Sequence, residues 1–368
     1  MNPGPAAIAL LTRVFREPTL YPALPVAQRD RVLRLARRAR VLGSLAVRLE
    51  EAGCAPVLST RERDHLEGAV MQAQEHHRML HWEVDRIGRA LAELPGPRVL
   101  LKGAAYALAE IPIHRGRLVA DVDILVAESQ LPAVEEALKA QGWVDVVPDP
   151  YDQRYYRDWM HEIPPLRHRH RLTEVDVHHA ILPRTSRLRP ATDRLLAASL
   201  PLPGSGWRVL DPHDMTLHAI THLFYDSDFE RGFRDLLDLD GLLRHCGPRP
   251  GFWAGLVHRS RELELGRPLY YALRYLEGLL GTPIPPAVVQ DAAAAAPPWI
   301  VRTAMDRLVP TVLQVTDPDR PPPMAWLAWT LLYLRSHWLR MPPGLLLRHL
   351  LKKSRRRWLP SDESCRQV

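Results

Sequence analysis

The sequence predicts an α/β (α+β) protein with a small mixed-sheet core flanked by N-terminal and C-terminal helical regions. Three observations predict it. Apolar residues recur at helical spacing from residue 6 to about 94, the pattern changes to short strand-like runs between Arg98 and His178, and helical spacing returns from Asp211 onward. A chain of 368 residues suffices for two or three domains. We divide it into an N-terminal helical region (1–95), an α/β core (96–183) and a C-terminal helical domain (205–368).

The elements follow in order. In the first region, Val32, Leu33, Leu35 and Ala36, then Leu42, Leu45, Ala46 and Leu49, keep helical spacing, with arginines on the other faces. Ser59-Thr60-Arg61-Glu62 has the order of a capping box, so it starts a long helix running toward Leu94. Pro95-Gly96-Pro97 ends that helix. Residues 98–101 are a short buried strand, followed by Lys102-Gly103 and a helical stretch over 104–109. Residues 118–126 form a second strand. Residues 129–141 form an amphipathic helix with Leu131, Val134, Ala137 and Leu138 on one face, and Gly142 closes it. Residues 143–147 are a third strand, 151–159 an edge-like fourth, and 171–178 a fifth with Leu172, Val175 and Val177 as its apolar members. Farther on, Asp211-Pro212 opens a helix carrying Leu217, Ile220 and Leu223. A second helix spans 232–245, and proline-rich breaks at 248–250, 282–286, 297–298 and 320–323 divide the rest. The aromatic, amphipathic stretch 326–338 is expected to pack on the helical domain.

Composition narrows the function classes. Hydrophobic content of 46% and charged content of 25% are those of an ordinary globular protein. Thirty-five prolines, about twice the usual share, read as loop punctuation. Cys54, Cys246 and Cys365 are far apart and odd in number, which argues against a disulfide framework or a cysteine zinc site and fits a reducing compartment. The N-terminus lacks a basic run before its short apolar stretch, and the most apolar segment, 324–334, is far below the roughly 20 residues of a membrane span. A cytoplasmic protein without membrane contact is expected. The net charge of +7 suits anionic partners, but Lys352-Lys353-Ser354-Arg355-Arg356-Arg357 supplies much of it.

The candidate chemistry lies on two strands. In Ala120-Asp121-Val122-Asp123-Ile124-Leu125-Val126, alternation puts Asp121 and Asp123 on one face and Val122, Ile124 and Val126 on the other. Carboxylates that close repel unless a cation sits between them. In Thr173-Glu174-Val175-Asp176-Val177-His178, the polar members Glu174, Asp176 and His178 again share one face. If this strand pairs beside the first, Asp176 joins Asp121 and Asp123. Three carboxylates can hold two Mg²⁺ ions roughly 4 Å apart, and Asp176 suits a general base. Of 49 basic residues, only Lys102, Lys139, Lys352 and Lys353 are lysine. Lys102 therefore stands where a compact ammonium serves and a planar guanidinium does not.

These residues carry a resemblance. Leu100-Leu101-Lys102-Gly103-Ala104, then Arg117 four residues before Asp121-Val122-Asp123-Ile124-Leu125-Val126, then Glu174-Val175-Asp176-Val177-His178, resemble the bacterial uncharacterised nucleotidyltransferase family of the polymerase-β-like superfamily. The later stretch with His218, His222 and Arg234-Asp235-Leu236-Leu237-Asp238 is similar to the same family's C-terminal part. The resemblance covers roughly residues 30–350 and is most specific over 99–180. It implies transfer of a nucleoside monophosphate, AMP first among the candidates, from a nucleoside triphosphate to an acceptor hydroxyl, with Mg²⁺ or Mn²⁺ and release of pyrophosphate. It implies metal on Asp121, Asp123 and Asp176, triphosphate at Lys102 and Gly103, and a phosphate role for Arg117. Glu174, His178, His222 and Arg234 are candidate site-lining residues. The acceptor stays open between a small metabolite or sugar, a protein side chain and RNA. Ala104 departs from the superfamily, where many members have Ser. The alternative is a non-catalytic or regulatory module, antitoxin-like or accessory to a biosynthetic cluster.

Plainer readings stand beside these. Arg117 can pair with an aspartate. The run Arg167-His168-Arg169-His170-Arg171 reads as a solvated loop, and Arg231/Asp235 and Arg234/Asp238 as surface i, i+4 pairs, although the resemblance makes Arg234 and Asp238 candidates for packing against the sheet domain instead. His218 and His222, also i, i+4, read as site-lining or core histidines rather than zinc ligands.

Overall fold

The structure is a computed structural model and describes residues 9–147, 149–226, 229–315, 324–344 and the single positions 322 and 346. The first region folds as α1 (Leu10–Arg16), α2 (Val26–Arg38), α3 (Leu42–Glu51) and α4 (Thr60–Ala90). The long α4 starts where the capping box predicts. The Glu62 amide donates to the Ser59 hydroxyl, and the Ser59 amide donates to the Glu62 carboxylate at 2.9 Å.

Seven strands follow: β1 (Val99–Leu100), β2 (Asp121–Leu125), β3 (Trp143–Asp145), β4 (Leu166–His168), β5 (Glu174–His178), β6 (Leu200–Pro201) and β7 (Arg208–Val209). They form one mixed sheet in the order β3-β4-β5-β2-β1-β7-β6. The β2–β5 and β1–β7 pairs are parallel, and the other pairs are antiparallel. Helix α5 (Lys102–Leu108) links β1 to β2, α6 (Leu131–Ala140) links β2 to β3, and α7 (Pro150–Trp159) links β3 to β4.

Three expectations need correction. Residues 151–159 are helix, not an edge strand. Asp149 caps α7 by accepting from the amides of Tyr151 and Asp152, Pro150 fills the first helical position, and Tyr151, Tyr155 and Trp159 stack edge-to-face at i, i+4 and i+8. The strand expected over 171–178 begins only at Glu174. Leu172 has φ +60° and is 68% exposed, so it is a turn residue rather than an apolar strand member. The basic run is not a solvated loop: Arg167 and His168 lie in β4, and the Arg171 guanidinium donates to both oxygens of the buried Glu83 of α4 at 2.9 Å. The hairpin β6–β7 was not foreseen, and it extends the sheet beyond residue 183 by pairing with β1.

The C-terminal region comprises α8 (Thr192–Ala198), α9 (Pro212–Thr221), α10 (Gly232–Cys246), α11 (Phe252–Glu262), α12 (Gly266–Leu280), α13 (Pro286–Ala293), α14 (Trp299–Leu313) and α15 (Ala325–Arg340). One continuous apolar core runs from Leu11 in α1 to Leu332 in α15, through the strands between. The two helical regions also touch directly. The Asp240 carboxylate in α10 is fully buried and accepts from Arg48 of α3 at 2.5 Å, from Arg244 at 2.8 Å and from the Thr282 hydroxyl at 2.7 Å. These donors satisfy a charge that would otherwise be costly to desolvate.

Helix α15 packs on α14 through a face that includes Ala328 and Leu332, while Trp326, Trp329 and Trp338 are exposed. Cys54 and Cys246 are buried free thiols. Cys365, the basic run 352–357 and, from the break at 320–323, Arg320, Pro321 and Pro323 lie outside the described residues. Among the described residues, no helix is long and apolar enough to cross a membrane.

Candidate active site

The site is built on two parallel neighbours, β2 and β5. Their register sets Asp121 opposite Glu174, Asp123 opposite Asp176 and Leu125 opposite His178. Residues opposite one another, and residues two apart, share a face. Asp121, Asp123 and Asp176 therefore meet on one side, as the alternation predicts. Val122, Ile124, Val175 and Val177 are fully buried on the other. Helix α4 fixes the approach to β2, because its His76 and His77 rings contact the carbonyl oxygens of Val119 and Arg117 at 3.1 and 2.8 Å.

Lys102 is placed by the end of β1. The Leu101 amide donates to the Asp123 carbonyl at 3.0 Å, and Lys102 itself takes φ +44°. That left-handed conformation costs an L-residue about 1–2 kcal/mol. It accompanies an ammonium set 3.0 Å from the Asp123 carboxylate. Gly103 answers a packing need. A Cβ there would run into the Arg117 guanidinium and the Val119 side chain, so the turn and the residues preceding β2 close on each other only with glycine at this position.

The facing wall comes from α9, the π-turn His222–Asp226 and α10. His218 is 4% exposed, and burial, followed by the charges of Lys102, His222 and His178, holds its imidazole well below the usual histidine range. It is a neutral residue lining the site. Asp235 collects Arg234 at 3.0 Å and His222 at 3.6 Å. Burial alone would raise its carboxyl, but these partners and Arg117 hold it far below the usual range. Asp238 accepts from Arg117 Nε at 2.9 Å, and that guanidinium is 5% exposed and stands over the Tyr106 ring. The surface reading of the α10 pairs is thus corrected, and the packing that the resemblance implies holds for Asp238: Asp235 and Asp238 are buried, and Asp238 binds Arg117 ahead of β2. Arg117 pairs with an aspartate, as the plainer reading has it, but with Asp238 of α10 rather than with Asp121 or Asp123. Glu174 accepts from Arg167 Nε at 2.9 Å at the far end of β5.

The electrostatics of the three aspartates diverge. Burial by itself would raise Asp123, but the Lys102 ammonium and the His178 ring, 3.0 Å away through Nε2, hold its carboxyl far below the usual range. Burial and then the Asp123 charge raise Asp121, against Lys102, Arg117 and Arg234. Burial, then Asp123, Glu162 and Asp121, push Asp176 well above the usual range. For Lys102, burial works against the ammonium, yet Asp123 and Glu162 keep its pKa above the ordinary lysine value.

The donor chemistry of this face suits a divalent cation. Asp176 Oδ1 is buried with no hydrogen-bond partner among the described residues. An orphaned buried acceptor costs about 1–3 kcal/mol, and more for a charged one. The face crowds like charges, and its donors are hard carboxylate oxygens of the kind Mg²⁺ and Mn²⁺ prefer.

Two contributors were not foreseen. His161 and Glu162 follow α7 and run antiparallel to the end of β5, with Glu162 opposite His178. No periodic pattern surrounds them in Met160-His161-Glu162-Ile163-Pro164, so only the three-dimensional pairing exposes them.

Residues 25–281 match a protein-family model described as "Uncharacterised nucleotidyltransferase". Neither a curated protein nor a solved structure matches the chain.

Proposed function

The chain belongs to the uncharacterised nucleotidyltransferase family, and from that membership and the carboxylate face we propose that it moves a nucleoside monophosphate, AMP from ATP, onto an acceptor hydroxyl and releases pyrophosphate. One observation carries the reading: the parallel register of β2 and β5 sets Asp176 beside Asp123 on the face that also bears Asp121. Mg²⁺ or Mn²⁺ held by Asp121, Asp123 and Asp176 would neutralise the triphosphate and the leaving pyrophosphate.

The residues supply the rest. The acceptor oxygen attacks the α-phosphorus, an O–P bond forms, the bond to the bridging oxygen breaks, and pyrophosphate leaves with the electron pair. Asp176 takes the acceptor's proton. The β2–β5 register places its carboxylate beside Asp123, where an acceptor hydroxyl brought to the same face would meet it. Lys102, now on Asp123, offers its ammonium to the phosphates. Arg234, held by Asp235 on α10, adds positive charge to the facing wall, and that charge favours the ionised form of Asp121. Asp238 holds Arg117 in place behind the turn at Gly103, so Arg117 positions that turn rather than touching phosphate.

A second reading, a module that binds nucleotide without turnover, is favoured by Ala104 in place of serine and by Lys102 already occupying Asp123. Incubation with each labelled NTP and Mg²⁺ separates the two. Pyrophosphate release from one nucleotide, reduced about 10²–10³-fold in Asp123→Ala, supports the enzyme. Equal release from both proteins removes the catalytic assignment, and nucleotide binding without release supports the module.

A further inference from the structure

Beside the carboxylate face lies a second group of ligands with different chemistry. His161, Glu162 and His178 each offer a ligand atom, and these atoms all lie within 4.8 Å of one another. We propose that they form a separate metal site for a borderline divalent transition ion of the Zn²⁺ or Co²⁺ class, bound through two imidazoles and one carboxylate.

Three observations carry it. First, the spacing is right. Ligand atoms about 2.0–2.2 Å from one ion lie no more than about 4.4 Å apart, and the three ligand atoms here lie within 4.8 Å of one another before any ion draws them in. Small side-chain adjustments close the remainder. Second, the site stands on rigid backbone. Glu162 bridges His178, the Ile163 amide donates to the Val177 carbonyl at 3.0 Å, and the His179 amide donates to the His161 carbonyl at 2.9 Å. These bonds tie the irregular segment that carries His161 and Glu162 to β5, which supplies His178. His161 and His178 are 7% and 1% exposed, with ring centroids 5.2 Å apart. Third, one ring position awaits a ligand. His178 Nε2 is 3.0 Å from Asp123 Oδ1, whereas its Nδ1 is buried with no hydrogen-bond partner among the described residues.

Donor type separates this site from its neighbour. Two nitrogens and one carboxylate select zinc-like ions, whereas an all-carboxylate face selects Mg²⁺ or Mn²⁺. Because His178 also contacts Asp123, an ion here fixes the ring that orients Asp123, a carboxylate–histidine–metal relation. The inference does not depend on nucleotidyl transfer and stands or falls apart from it.

The test uses the full chain, freed of metal with a chelator and titrated with Co²⁺ in excess Mg²⁺. Wild type and Asp121→Asn are expected to retain one Co²⁺ each and to develop its visible d–d absorption. His161→Ala and the isosteric Glu162→Gln are expected to bind at least about tenfold more weakly, with unchanged circular dichroism. Failure of the wild type to retain Co²⁺ overturns the proposal, and so does wild-type affinity in a folded Glu162→Gln. Equal loss in Asp121→Asn would assign the ion to the aspartate face instead.

Discussion

At the scale of single residues, the site is a set of charges that do not balance by themselves. Lys102 and His178 both lean on Asp123, so Asp176 is left with burial and three like-charged neighbours. The two aspartates shift in opposite directions, and their pH dependences differ in sign. Asp123, held low, contributes stability above the usual carboxylate value of about 3.9, and that contribution is lost as pH falls below it. Asp176, held high, favours the folded state while protonated, and that contribution is lost as pH rises from about 3.9 through its native value. Asp121 shares the second sign. Melting temperatures measured in chelator are therefore expected to decline more steeply above about pH 4 in the wild type than in Asp176→Asn. Mg²⁺ or Mn²⁺ should remove the difference. A wild-type profile identical to that of Asp176→Asn would contradict the account of Asp176. Alternation along each strand made Asp121, Asp123 and Asp176 legible in the sequence. The partners of Arg117 and Glu162 were not legible, since Asp238 and His178 meet them only through packing across the chain.

At the scale of elements, legibility tracked whether a period was long enough to assert itself. The 31 residues of α4 and its capping box were read correctly to within a turn. The ten-residue α7 was mistaken for a strand, because its three aromatics at i, i+4 and i+8 sit among Tyr156 and polar residues that blur the period. What decides α7 is local: Asp149 and Pro150 start it. Replacing Asp149 with alanine is expected to cost about 1 kcal/mol of stability in urea unfolding. No change would mean that the aromatic stack, not the cap, holds the helix. The strands β4, β6 and β7 have only two or three residues each. Such lengths carry no periodic signal, and their pairing is imposed by β5 and β1. The 171–173 turn is imposed in the same way, by Glu83 reaching out of α4 to take Arg171.

At the scale of the whole molecule, buried ion pairs lock the two helical regions to each other and to the site. Arg117 precedes β2 and Asp238 belongs to α10, so their pair joins the sheet to the facing wall. Burial outweighs the guanidinium and raises the Asp238 carboxyl, which marks how dry the contact is. Removing one partner, as in Arg117→Met, leaves a buried charge and is expected to cost about 3–5 kcal/mol. The double replacement Arg117→Met with Asp238→Leu should recover most of that loss. If the single variant is as stable as the wild type, Arg117 is not a structural anchor and a phosphate role returns. The three-part order of helices, mixed sheet and helices was legible from the change of period along the chain. The contact between the first and last parts was not, because Arg48 and Asp240 are 192 residues apart and no local pattern relates them. The central claim is that the carboxylate face performs nucleotidyl transfer with Asp176 as its base. Its most direct test is pyrophosphate release from ATP and Mg²⁺ by folded wild type and folded Asp176→Asn. The account predicts release by the wild type and a reduction of about 10²-fold or more in the variant. Equal rates in the two proteins would contradict it.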